Sequence, residues 1–215
     1  MSTLPAAPAA RPTPVNRVLP ANPLRAAVVV AAFTALLYLV EAVDAVLPAN
    51  LDNLGIHPRT VGGLDGILLA PLLHSGWSHL FANTLPILVF GFLALAGGFG
   101  QWAAVTATVW LASGTGVWLT GAEGVTVGAS GLAFGWLAFL LVRGIFTRSA
   151  GQLVVAVVLF LYWGSTLLGV LPGNPGISWQ GHLFGALGGI LAAWLVSVAN
   201  NARRRSASST PASAA

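Results

Sequence analysis

Apolar residues in this chain run in long blocks rather than in stripes of helical or strand period, and polar and small residues gather between the blocks. Six blocks are legible, at roughly residues 26–48, 77–97, 102–120, 128–146, 153–171 and 181–199. Each is near the ~20 residues that a helix needs to cross ~30 Å of hydrocarbon. Gly97, Gly98, Gly100, Gly121, Gly124, Pro172, Gly173, Pro175 and Gly176 punctuate the junctions. The connection 49–76 is the long one, and its own apolar stretch, Ile67–Leu73, is too short to span and reads as a re-entrant or interfacial segment. A membrane β-barrel would need alternating segments of about ten residues, which the chain lacks. The pattern therefore predicts an all-α polytopic membrane protein built as a six-helix bundle.

Composition sharpens this. Only 7% of residues are charged and 56% are hydrophobic, at a mean hydropathy of +0.84. A soluble domain carries about 25% charged residues. With no cysteine, disulfides, thiolate metal sites and cysteine nucleophiles are excluded. The basic residues are all arginine, and their placement reports orientation rather than nucleic-acid binding. With the N-terminus inside, Arg11, Arg17, Arg25, Arg143, Arg148, Arg203, Arg204 and Arg205 fall on the cytoplasmic side, and only Arg59 lies outside. The positive-inside rule then sets both termini in the cytoplasm of a cell (inner) membrane protein. Glu41, Asp44, Asp52, Asp65 and Glu123 fall at or near the outer side, Glu41 and Asp44 as solvated interfacial groups. Residues 1–24 read as a flexible cytoplasmic tail, 25–200 as the membrane domain and 201–215 as a second tail. A cleaved signal peptide is not expected, because the first apolar block begins near Ala26 and is long enough to span.

Polar groups inside a span are costly and mark function by default. Here they are His79 and Asn83 in the second block, Ser130 in the fourth and His182 in the sixth. Counted at ~1.5 Å per residue from the inner ends of their blocks, Asn83, Ser130 and His182 lie ~21, ~20 and ~24 Å above the inner face. One depth for all three suggests one site, open to the outside. The apolar run Gly131–Val142 is too short to cross, so the Gly-rich approach Gly124–Gly128 must descend to meet it, beside a water-filled cavity. Ser130 would then stand at a helix N-terminus on the cavity floor. Gly181, Gly185, Gly189 and Ala193 recur every four residues in the sixth block, as Gly131 and Gly135 do in the fourth. Such faces let two helix backbones approach closely.

Three motifs now stand in order: His79-Leu80-Phe81-Ala82-Asn83, Gly128-Ala129-Ser130-Gly131, and Gly181-His182-Leu183-Phe184-Gly185-Ala186-Leu187-Gly188-Gly189. Together they resemble the HxxxN, GxSG and histidine-helix motifs of the rhomboid family of intramembrane serine proteases, over roughly residues 55–195. The resemblance implies that Ser130 is the nucleophile and His182 its general base, since a serine hydroxyl is a weak nucleophile without an adjacent base. No carboxylate lies within these three blocks, so a dyad is expected rather than a triad. His79, Asn83 and the Ser130 backbone N–H are the implied oxyanion donors. Phe134 is the implied aromatic against the imidazole, and His74 a structural polar residue. Gly128, Gly131, Gly185 and Gly189 would support the close helix packing. The family's Trp-Arg pair in the first outer loop is replaced by Gly55-Ile56-His57-Pro58-Arg59.

The implied activity is a serine endopeptidase that cleaves transmembrane segments of other proteins, often after alanine, with substrate entering sideways from the bilayer. The fifth block and the loop Pro172–Trp179 are the expected gate and lid. No cofactor and no metal are expected: His74 and His79 are five apart, ~140° around a helix, and no HExxH is present. A rhomboid-like protein that binds membrane clients without cleaving them is the alternative. A small transporter or channel is disfavoured, because the halves show no inverted repeat.

Overall fold

Pro23 opens the first long helix. The Asn22 side chain accepts the Arg25 backbone N–H at 3.0 Å, and Pro23 has no N–H of its own to leave unpaired. In a computed structural model that describes residues 16–173 and 176–208, this helix, α1, spans Pro23–Val46. It is followed by α2 (Gly66–Leu69), α3 (Trp77–Ala94), α4 (Phe99–Thr120), α5 (Ser130–Thr147), α6 (Ala150–Trp163) and α7 (Trp179–Ser208). Tighter turns extend α3 over Leu95–Gly97 and α6 over Gly164–Val170. Among the described residues no strand forms, and a single antiparallel bridge joins Ile56 to Thr126.

All six apolar blocks are helical. Five segments are long and apolar enough to cross a membrane: Pro23–Val46, Trp77–Gly97, Ser130–Thr147, Ala150–Val170 and Trp179–Arg203. Helix α4 is 22 residues long, but Gln101, Thr106, Thr108, Ser113 and Thr115 dilute its apolar character. The stretch around Ile67 is neither a span nor an extended loop. It belongs to a run of short apolar helical turns over Val61–Leu72. These turns dock on α4, where Trp110 Nε1 donates to the Ile67 carbonyl at 3.0 Å.

Helix α5 is the centre of the bundle, with every residue from Gly131 to Leu140 buried. Trp136 is fully enclosed, its indole N–H donating to Thr106 Oγ1 at 3.1 Å. Helix α6 is the reverse case. Val154, Val157, Phe160, Leu161 and Tyr162 are all exposed large side chains, as suits a helix facing lipid. Lipid is as apolar as leucine, so close packing rather than hydrophobic burial must join the helices. The glycines supply it. A Cβ at Gly185 would run into the Gly131 carbonyl, one at Gly189 into the Gly135 carbonyl, and one at Gly135 would lie 2.8 Å from the Gly185 carbonyl. These contacts fix the relative height of α5 and α7.

The bundle has two chemically distinct ends. At one, Gln152 Nε2 donates to the Arg17 carbonyl at 3.2 Å and Ser197 Oγ to the Phe146 carbonyl at 3.4 Å. The segment before α1, the α5–α6 turn and the last turns of α7 therefore meet there. At the other, the loop after Gly55 joins the approach to α5. Helix α7 runs on to Ser208, beyond the expected boundary at residue 200, and residues 16–18 lie against the start of α6. The rest of the two expected tails, 1–15 and 209–215, lies outside the described residues. Glu41 departs from expectation. It faces inward and is 4% exposed, on the α1 face that also carries Val30, Thr34 and Leu37.

Candidate active site

Ser130 is the first residue of α5, and His182 lies in the first turn of α7. Both helices start at the same end, α7 with the Ser178 side chain accepting the Gly181 N–H at 3.3 Å. Equal starting height and glycine-mediated contact bring the two side chains together. His182 Nε2 and Ser130 Oγ are 2.8 Å apart.

The imidazole is oriented from both sides. Its Nδ1 lies 3.0 Å from the Gly169 carbonyl, which can only accept. The ring proton therefore sits on Nδ1, and Nε2 presents a lone pair to the serine hydroxyl. Phe134 stacks on the ring at 3.9 Å between centroids and 6° between planes. Nothing in the sequence signals Gly169, because the working group is a backbone carbonyl. It sits in the turn that extends α6, and a Cβ there would come within 3.0 Å of Phe134 and 3.1 Å of His182 Nδ1.

The approach to Ser130 is equally constrained. Gly128 has φ of +120°, a conformation that a side chain rarely adopts, and a Cβ there would lie 2.6 Å from the His79 ring. Its N–H donates to the Ala70 carbonyl at 2.8 Å, and the Ala129 N–H donates to His74 Nε2 at 3.4 Å. Thr126 exchanges hydrogen bonds with Ile56 at 2.9 and 3.0 Å. The loop after α1 thus braces the turn that carries the serine. Arg59, the one arginine at this end among the described residues, donates from Nη1 to the Gly121 carbonyl at 2.7 Å and so caps the C-terminus of α4.

His74 is buried, and burial more than its neighbour His79 pushes its ring down to about 4. It is thus an uncharged acceptor at neutral pH. His79 is fixed through Nδ1, which lies 3.1 Å from Ser75 Oγ, and Asn83 donates one amide hydrogen to the His79 carbonyl at 3.0 Å. Both line the same cavity of about 440 Å³ as Gly128, Ser130, Gly131 and His182. An adjoining cavity of about 410 Å³, walled by Glu123, Thr126 and Gln180, leads on from it. Gly131 is pressed against Ser113, whose hydroxyl donates to the Gly181 carbonyl at 2.8 Å. Among the described residues no group of three metal-ligating side chains forms. His57 lies in the loop after α1, bonded to the Asn53 carbonyl at 2.9 Å. Of the loop expected as a lid, residues 174 and 175 lie outside the described residues.

The match to the model of the rhomboid domain covers residues 62–199. The chain belongs to the rhomboid family. Members of this family are generally intramembrane serine proteases, with inactive members among them. The rhomboid is also 48% identical over 174 residues to an uncharacterized protein of Mycobacterium tuberculosis and to one of Mycobacterium bovis, covering 77% of this chain and 72% of each relative. An uncharacterized protein of Mycobacterium leprae is 48% identical over 179 residues, covering 79% of this chain and 71% of that one.

Proposed function

We propose that this rhomboid is an intramembrane serine endopeptidase that cleaves transmembrane segments through a Ser130–His182 dyad. The observation that carries the reading is the 2.8 Å contact from His182 Nε2 to Ser130 Oγ, with Nδ1 committed to the Gly169 carbonyl. This is the tautomer that a general base requires. As Oγ attacks the scissile carbonyl carbon, its proton passes to Nε2. The imidazolium then returns that proton to the leaving amine, which departs and leaves an acyl-serine. Water, deprotonated by the same nitrogen, hydrolyses the ester and restores the hydroxyl. The Gly169 carbonyl and the Phe134 face hold the ring where a triad would use a carboxylate.

Negative charge developing on the substrate oxygen is met by donors around the cavity: the Ser130 N–H at the start of α5, the second amide hydrogen of Asn83, and the His79 ring. A helix N-terminus leaves such N–H groups free and favours negative charge. The fold is read as six spans with both termini in the cytoplasm of the cell membrane and the cavity open to the outer side. The arginine-rich end supports that orientation. Helix α6, the most lipid-exposed, is the proposed gate for entering substrate.

Proteolysis of a model transmembrane substrate in liposomes tests the reading. Cleavage by the wild type and none by Ser130→Ala is the expected result. Client binding without cleavage, and no fluorophosphonate labelling of the wild type, would favour the non-proteolytic alternative.

A further inference from the structure

The end of the molecule opposite the dyad holds a second cavity, of about 360 Å³, lined by Asn16, Thr147, Arg148, Ser197, Asn200 and Asn201 together with Phe146. The mechanism leaves it unused. The hydroxyls are already committed: Ser197 donates to the Phe146 carbonyl, and Thr147 is engaged with the Arg143 carbonyl and Gln152. A guanidinium and three amides remain. Among the described residues, the side chains of Arg148, Asn200 and Asn201 have no protein partner. The Asn16 amide oxygen is buried without a partner, and a half-turn of that amide presents its NH₂ instead.

Charge points the same way. Arg17, Arg25, Arg143, Arg148 and Arg203 belong to this end, whereas all five carboxylate side chains, Glu41, Asp44, Asp52, Asp65 and Glu123, belong to the other. Among the described residues no acidic side chain lies at this end to pair with Arg148. The cavity also adjoins membrane-facing surface, since Ile145, Leu195 and Val198 on the flanking helices are exposed. A polar, cationic cavity beside an apolar wall matches one chemistry: a phosphodiester with acyl chains attached. Basic pockets between helices on the cytoplasmic side suit anionic headgroups.

We infer that this cavity binds the headgroup of an anionic phospholipid of the inner leaflet, with the Arg148 guanidinium and the amides of Asn16, Asn200 and Asn201 around the phosphate. The test is thermal unfolding of the full chain in detergent during titration with phosphatidylglycerol, phosphatidylcholine or inorganic phosphate. The expected result is a saturable rise in Tm with phosphatidylglycerol alone. Arg148→Gln should weaken the apparent affinity about tenfold or more, in keeping with the ~1.5–3 kcal/mol of a hydrogen bond to a charged group. Arg25→Gln removes the same charge from the same end but not from the cavity, and should change affinity by no more than about twofold. Asn201→Ala is the second probe, should Arg148→Gln fail to fold, and should also weaken binding. Equal shifts with phosphatidylcholine, an effect of inorganic phosphate matching that of the lipid, or equal losses in Arg25→Gln and Arg148→Gln would each overturn the assignment.

Discussion

Removing the Ser130 hydroxyl takes one atom from a wet cavity and no contact from the core. Ser130→Ala should therefore abolish cleavage and fluorophosphonate labelling while Tm stays within about a degree of the wild type. His182→Ala should suppress labelling on the order of 10⁴-fold or more, because an unactivated serine reacts poorly; labelling at the wild-type rate would assign the base elsewhere. Asn83 separates transition-state stabilisation from interhelical packing. Loss of one oxyanion donor costs about 10²–10³ in kcat. Asn83→Ala should show such a fall with KM and Tm little changed, whereas a drop in Tm with normal turnover would make Asn83 structural. His74 governs stability against pH. Its folded value of about 4 lies below the ordinary 6.5, so between these limits the unfolded chain binds a proton that the native site refuses. His74 thus contributes stability above pH ~6.5 that is lost progressively as pH falls toward ~4. His74→Gln keeps an acceptor for the Ala129 N–H and removes the titration. Its Tm should fall less than that of the wild type between pH 7 and pH 5, and identical slopes would show that His74 does not titrate there. The side chains at the site were legible in the sequence because rare polar residues stand out in apolar helices. The Gly169 carbonyl was not, since every residue has one, and Glu41 looked solvated because its inward direction depends on how α1 turns against its neighbours.

Among the elements, α5 and α7 determine whether the site exists. Their glycine faces were readable as a four-residue repeat, because close approach demands small residues whatever the partner. Gly185→Val drives a branched side chain into the Gly131 carbonyl, one residue from Ser130. It should cost stability by ~1–3 kcal/mol or more and remove most activity. A stable, active valine variant would show that α7 tolerates separation from α5 at this level. Less was readable of the elements that brace the serine turn. The bridge between Ile56 and Thr126, and the Arg59 cap on α4, join segments distant in sequence through backbone atoms that carry no local pattern. The short turns over Val61–Leu72 were visible as an apolar stretch, but their docking on α4 depends on the Trp110 bond to a backbone carbonyl.

For the molecule as a whole, the absence of cysteine gives a clean background for mapping orientation. A single cysteine replacing Glu123 should react with a membrane-impermeant maleimide added to intact cells. One replacing Ser206 should react only after the membrane is opened. The reverse pattern would invert the proposed topology and place the cavity on the inner side. Block lengths made the helical character of all six apolar blocks legible, though only five segments among the described residues are long and apolar enough to span, and arginine placement showed the segregation of charge between the two ends. The polar cavity between α5, α7 and the segment before α1 was not legible, because it depends on residues 16–18 folding back onto the bundle.

The Gly169 carbonyl ties the dyad to the segment that follows the most lipid-exposed helix. A hydrogen bond of 3.0 Å does not survive a displacement of an ångström or so. If α6 swings outward to admit a substrate and carries Gly169 with it, His182 is released while the door is open and held again only once it shuts. On the proposed mechanism this arrangement would act as an interlock: bond cleavage would wait for closure behind the substrate, and a rhomboid with its gate ajar would idle instead of hydrolysing whatever drifts past.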